Sequence, residues 1–133
     1  MYNLHRSFGA LILVLMLIRL AYRLVNGAPA PEPTLTAMQR IVSHAVHLSL
    51  YALLIAQGII GWVATSAYGA AISVFGLFTL PALVGKDEAL AKPLFLVHDL
   101  IGLTIAGLLL MHIGAALFHY FVRRDGVLQR MLP

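Results

Sequence analysis

PLFLVHDLIGLTIAGLLLMHIGAALFHYFV, residues 93–122, decides the fold. A membrane-spanning helix needs about 20 mostly apolar residues, and this run exceeds that with a single formal charge, Asp99. Of its three histidines, His98 and His112 are 14 residues apart. That is almost four helical turns, so both lie on one face and differ in depth by about 21 Å. Working outward, two more stretches qualify as spans: about 4–24, halted by the Gly27/Pro-rich segment 26–33, and about 38–64, with Thr36 as N-cap and Trp62 as an interfacial anchor near its far end. The third span is expected to begin at Pro93, in the first-turn position that tolerates proline. Ala71–Leu80 is apolar but too short to cross, and reads as an interfacial or re-entrant piece closed by Pro81.

Composition agrees. Of 133 residues, 61% are hydrophobic and 11% charged, and the mean hydropathy is +0.92. A soluble enzyme of this size needs polar surface that the chain lacks, and a disordered chain would be charge-rich and poor in apolar residues. The reading is an all-α integral membrane protein, one domain over residues 1–133. The absence of cysteine excludes disulfides, thiolate-held iron–sulfur clusters and covalent c-type haem. The net charge of +4 reflects basic residues flanking apolar spans, so no nucleic-acid partner is expected. Arg19, Arg23, Arg40, Arg123, Arg124 and Arg130 collect on one side, which marks it as cytoplasmic, with the C-terminus inside. Arg6, Lys86 and Lys92 fall on the other.

A lone histidine in a span more often satisfies a carbonyl or faces water than holds a cofactor, but six sit in or beside these spans: His5, His44, His47, His98, His112 and His119. His5 opens the first span at the depth of His98, so the two supply facing imidazoles for a bis-histidine haem. His112 is placed for a second haem nearer the inner side. Gly9 and Gly102 follow His5 and His98 at i+4, on the same helix face, and leave room for a flat macrocycle. His44 and His47 have bulkier neighbours. Zinc or di-iron would require carboxylates converging at one depth, and Asp99 alone is acidic there.

These residues resemble the bacterial cytochrome b561 family, which includes superoxide:ubiquinone oxidoreductases and is similar to the cytochrome b subunits of hydrogenases and formate dehydrogenases. The matching features are His5 opening a helix that ends Arg19-Leu20-Ala21-Tyr22-Arg23, the Pro-rich loop, the pair His44-Ala45-Val46-His47 followed by Tyr51, the outer loop 74–81, His98 and His112 at their 14-residue gap, and the terminal stretch 124–133. The resemblance covers nearly the whole chain. It implies a four-helix bundle holding two b-type haems in the bacterial inner membrane, the outer one ligated by His5 and His98, the inner one by His112 and a histidine of the family's first helix. The sequence departs from the pattern in lacking that first helix, and an incomplete chain or misplaced start is the simplest explanation. His44, His47 or a neighbouring protomer would be substitute ligands for the inner haem.

Two functions follow from the resemblance. The first is an oxidoreductase, with superoxide or another outer reductant oxidised and ubiquinone reduced. The second is a non-enzymatic haem anchor that passes electrons for a partner dehydrogenase or hydrogenase. Arg6, Lys86 and Lys92 are candidates for drawing an anion to the outer haem. His119, with Arg123 and Arg124, is the candidate quinone site. The expected partners are the lipid bilayer, quinone, superoxide, and a second copy or a redox protein.

Overall fold

The computed structural model describes residues 2–27, 30 and 33–129. Three helices account for most of it: α1 (Tyr2–Asn26), α2 (Ala37–Tyr68) and α3 (Glu88–Phe118), the last continuing as a π-helical turn, His119–Arg123. All three helices are long and apolar enough to cross a membrane. Between α2 and α3 lies an antiparallel pair, β1 (Ile72–Val74) and β2 (Phe78–Leu80), in the register Ile72–Leu80, Ser73–Thr79, Val74–Phe78.

Local chemistry sets the helix ends. Thr36 caps α2 as expected: its Oγ1 accepts from the Gln39 N–H at 3.3 Å while Gln39 Oε1 accepts from the Thr36 N–H at 3.0 Å, a reciprocal capping box. Gly69, in the left-handed region at φ +83°, closes the far end. The α3 start differs from the sequence expectation. Asp87 caps it by accepting from the Leu90 N–H, and Glu88 adds favourable charge to the first turn, so α3 begins before Pro93. Pro93 therefore stands inside the helix, with no N–H to offer the carbonyl four residues back.

Helix α2 packs against both neighbours, whereas α1 and α3 scarcely touch each other. Two glycines one turn apart make this possible. A Cβ at Gly58 would stand 2.9 Å from Leu13 Cβ, so its absence lets α1 approach; a Cβ at Gly61 would stand 2.8 Å from His98 Cε1, so its absence seats a ring of α3. Towards the opposite end of α1 from His5, Arg19 Nε donates to the Tyr51 hydroxyl at 2.8 Å and the Arg23 guanidinium lies 5.3 Å from the Tyr51 ring centroid. Large apolar side chains such as Leu4, Leu15, Ile18, Leu103 and Leu110 are exposed along α1 and α3, as a lipid-facing surface requires.

The segment 71–80, expected to lie at the interface, takes the form of the β1–β2 hairpin. Its turn places Phe75 (φ +50°) and Gly76 (φ +74°) in the left-handed region, and the Leu77 N–H donates to the Val74 carbonyl. For an aromatic residue that conformation is strained. Ser7 of α1, fully buried, accepts from the Phe75 N–H at 2.9 Å and lies 3.1 Å from the Ser73 carbonyl, while the Phe8 ring meets Phe75 edge-on at 5.3 Å. The hairpin is thereby fixed to α1 within a turn of His5.

Candidate haem site

Because α1 and α3 stay apart while both rest on α2, a groove of about 1250 Å³ opens between them at the end that carries the hairpin. This exceeds the range typical of small-ligand pockets, and its walls are mainly apolar. His5 and His98 both line it. Their ring centroids are 5.9 Å apart and their planes nearly perpendicular, at 85°. Two imidazoles on opposite faces of one iron, each at a bond of about 2 Å, place their centroids about 6 Å apart. The pair therefore has the spacing of axial ligands.

The donor set fits haem better than a bare ion. Among the described residues no group of three or more His, Cys, Asp or Glu side chains is placed to hold a metal. A haem iron takes four ligands from its macrocycle and asks the protein for two. Gly9, one turn from His5, lines the groove, and a Cβ there would meet nothing within 4 Å. Gly102 is placed differently from the sequence expectation: a Cβ there would stand 3.2 Å from Gln57 Nε2, so it makes room for a side chain of α2 rather than opening on the groove. Of Arg6, Lys86 and Lys92 only Arg6 lines the groove, its Nη1 donating to the Ala71 carbonyl at 3.3 Å. Lys86 pairs loosely with Glu88 at 3.8 Å in the open, and Lys92 is exposed.

Farther from the hairpin, His112 meets His47, with centroids 5.1 Å apart at 74°. This is direct ring contact, about 1 Å tighter than a shared iron requires. His44, one turn earlier on α2, is exposed. Further in, His119 is buried and its Nδ1 lies 2.6 Å from Asp125 Oδ2. Asp125 also lies 3.6 Å from Arg123 Nε, and Arg123 reaches across to Gln39 Oε1 at 3.0 Å and the Thr34 carbonyl. Partial burial acts to raise the Asp125 carboxyl, but hydrogen bonds from His119 and the Val127 N–H, with the charges of His119 and Arg123, hold it below its usual range. Arg124 ends the π turn at φ +52°, its N–H on the His119 carbonyl. Arg130 lies outside the described residues.

A family model described as prokaryotic cytochrome b561 matches residues 1–133. The chain belongs to the cytochrome b561 family. Curated relatives are cytochrome b561 homolog 2 of Escherichia coli K12, 38% identical over 98% of this chain and 69% of that protein; a protein named probable superoxide oxidase CybB of Yersinia pestis, 33% identical over 98% and 73%; and cytochrome b561 homolog 1 of E. coli K12, 32% identical over 97% and 73%. Membership makes this b561 chain a haem-binding membrane protein of transmembrane electron transfer, and its spans and bacterial relatives place it in the bacterial inner membrane.

Sequence reasoning about this b561 chain passed over Gln57, Gly61 and Ser7. Each faces a partner on another element, and no spacing within its own helix signals that. The glycine pair at 58 and 61, on successive turns of the span, was the signal available for α2.

Proposed function

We propose that this chain carries electrons from an anionic reductant at the outer membrane face to ubiquinone at the inner face, through haem b held at the outer level by His5 and His98. The observation that carries the reading is the 5.9 Å separation of these two imidazoles across a large apolar groove. Haem supplies one-electron chemistry when bound; the protein supplies position, ligand field and local polarity. Gly9 leaves the α1 wall open beside the ligand, and Gly61 seats the His98 ring against α2. Arg6 places a positive charge on the groove wall, where it attracts an anion such as superoxide. The name of the Yersinia relative supports superoxide as the donor. Lys86 and Lys92 add to the field from farther out.

His112 is the proposed inner ligand, and His47 is the imidazole set against it. At 5.1 Å between centroids, the two rings stand about 1 Å closer than two imidazoles that would hold one iron between them. The inner site accordingly fills less completely than the outer one, with His44 as a further substitute ligand. At the cytoplasmic end, where we place the C-terminus, Asp125 occupies His119 Nδ1 and leaves Nε2 as the ring nitrogen free to hydrogen-bond a quinone oxygen and pass it a proton. Arg123 and Arg124 hold positive charge beside it. Two superoxide ions each lose one electron to become dioxygen, and the quinone gains two electrons and two protons.

The test is superoxide consumption by the purified haem-loaded protein with added ubiquinone and no other protein. Quinone-dependent consumption is expected. Its absence, with reduction restored only by a partner dehydrogenase, would replace this reading with that of a passive electron-carrying anchor.

A further inference from the structure

Two buried side-chain polar atoms among the described residues lack a hydrogen-bond partner, and they lie on the same seam between α2 and α3: Gln57 Oε1, an acceptor, and His98 Nδ1. The orientation of the Gln57 amide is fixed by its other end. Nε2 donates to the His98 carbonyl at 2.9 Å, and because a carbonyl only accepts, that end must be the NH2 group. The oxygen is therefore the atom left over. The His98 ring is oriented as well. A Cβ at Gly61, one turn from Gln57 on the same face of α2, would stand 3.2 Å from Nδ1 and 3.8 Å from Nε2. Nδ1 thus lies on the side towards α2, and Nε2 is the nitrogen farther from it.

We propose that Gln57 is a positioning residue for the outer haem, its amide oxygen accepting the Nδ1–H of His98 when Nε2 holds the iron. The inference rests on His98 being an axial ligand. An imidazole that gives Nε2 to a metal carries its proton on Nδ1, and an acceptor there fixes the tautomer, orients the ring and makes the ligand more basic. A more basic ligand favours ferric over ferrous iron, so the acceptor lowers the midpoint potential. One side chain then does two things: its nitrogen ties α2 to the His98 backbone, and its oxygen sets the potential of the outer haem.

The experiment is a redox titration of the haem-loaded protein in membranes, followed by absorbance, with the wave missing from His98→Ala assigned to the outer haem. Gln57→Leu removes the acceptor and should raise the potential of that wave. Gln57→Glu supplies a stronger acceptor and should lower it. Each shift should correspond to about a tenfold change in the preference for ferric over ferrous iron, or about 59 mV for one electron, with the inner wave unmoved. Outer potentials unchanged in both variants, with the outer haem still bound, would overturn the role of Gln57 alone. If Gln57→Leu fails to accumulate, Gln57→Glu by itself decides: a downward shift supports the proposal and no shift overturns it. An outer haem retained in His98→Ala would instead overturn the ligand assignment on which the inference rests.

Discussion

Adding one methyl group at Gly61 tests the outer site without replacing either proposed ligand. The new Cβ would stand 2.8 Å from His98 Cε1 and 3.2 Å from Nδ1, whereas carbon contacts are comfortable at about 3.5–4.0 Å. The His98 ring must therefore move by about 1 Å. Overpacking of this size costs about 1–3 kcal/mol, equivalent to about a 5- to 150-fold loss of haem affinity if it falls on the bound geometry. Helix propensity acts in the opposite direction, since alanine is favoured over glycine by up to about 1 kcal/mol within a helix. Gly61→Ala should then keep or improve helix content while releasing the outer haem. Gly107→Ala is the control, because a Cβ there meets nothing within 4 Å. Haem retention in detergent is measured against time for both variants, with circular dichroism alongside. Equal retention in Gly61→Ala and the parent would refute the claim that Gly61 seats the ligand ring.

Three further outcomes are expected. If an anion approaches the outer haem through the groove, Arg6→Gln should slow reduction by superoxide and flatten its salt dependence more than Lys86→Gln or Lys92→Gln, because Arg6 alone of the three lines the groove. Because the folded Asp125 carboxyl sits below its usual range, its contribution to holding the chain after the π turn is fully present above the unfolded value of about 3.9. That contribution is lost as pH falls through the lower folded value; the protection of amides 124–129 against exchange, relative to their intrinsic rates at each pH, should fall over that acid range, and Asp125→Asn should show the lower protection already at neutral pH. The haem-to-protein ratio should lie nearer one than two, given the 5.1 Å contact of His47 with His112; two fully low-spin haems per chain would mean that His112 already shares an iron with His47, His44 or a neighbouring protomer.

The spans were legible because hydropathy and length alone decide them, and His5 with His98 because equal depth on two helices follows from counting residues at 1.5 Å each. Helix rotation and tilt do not follow from counting. Depth arithmetic made His47 a possible counterpart of His112, but only packing shows their rings in contact. Gly102 shares the His98 face as the spacing predicts, yet what fills the space beside it is Gln57 from α2. Pro93 suggests the start of α3 because proline favours first turns; Asp87 is the stronger signal, since it satisfies a free N–H. The hairpin at 72–80 was hidden because Phe75 adopts a conformation its own side chain disfavours, held there by Ser7 some 68 residues away. His119 stood out as a polar group at a helix end, but its pairing with Asp125 depends on the π turn, which has no sequence signature here.

The most direct test of the central claim is the reduced-minus-oxidised absorption spectrum, with haem quantified per protein, for His5→Ala and His98→Ala compared with the parent. Each single variant is expected to lose the outer haem with helix content intact, since both imidazoles are needed to bracket one iron. Unchanged haem content and an unchanged low-spin spectrum in both variants would contradict the assignment of the 5.9 Å pair as axial ligands.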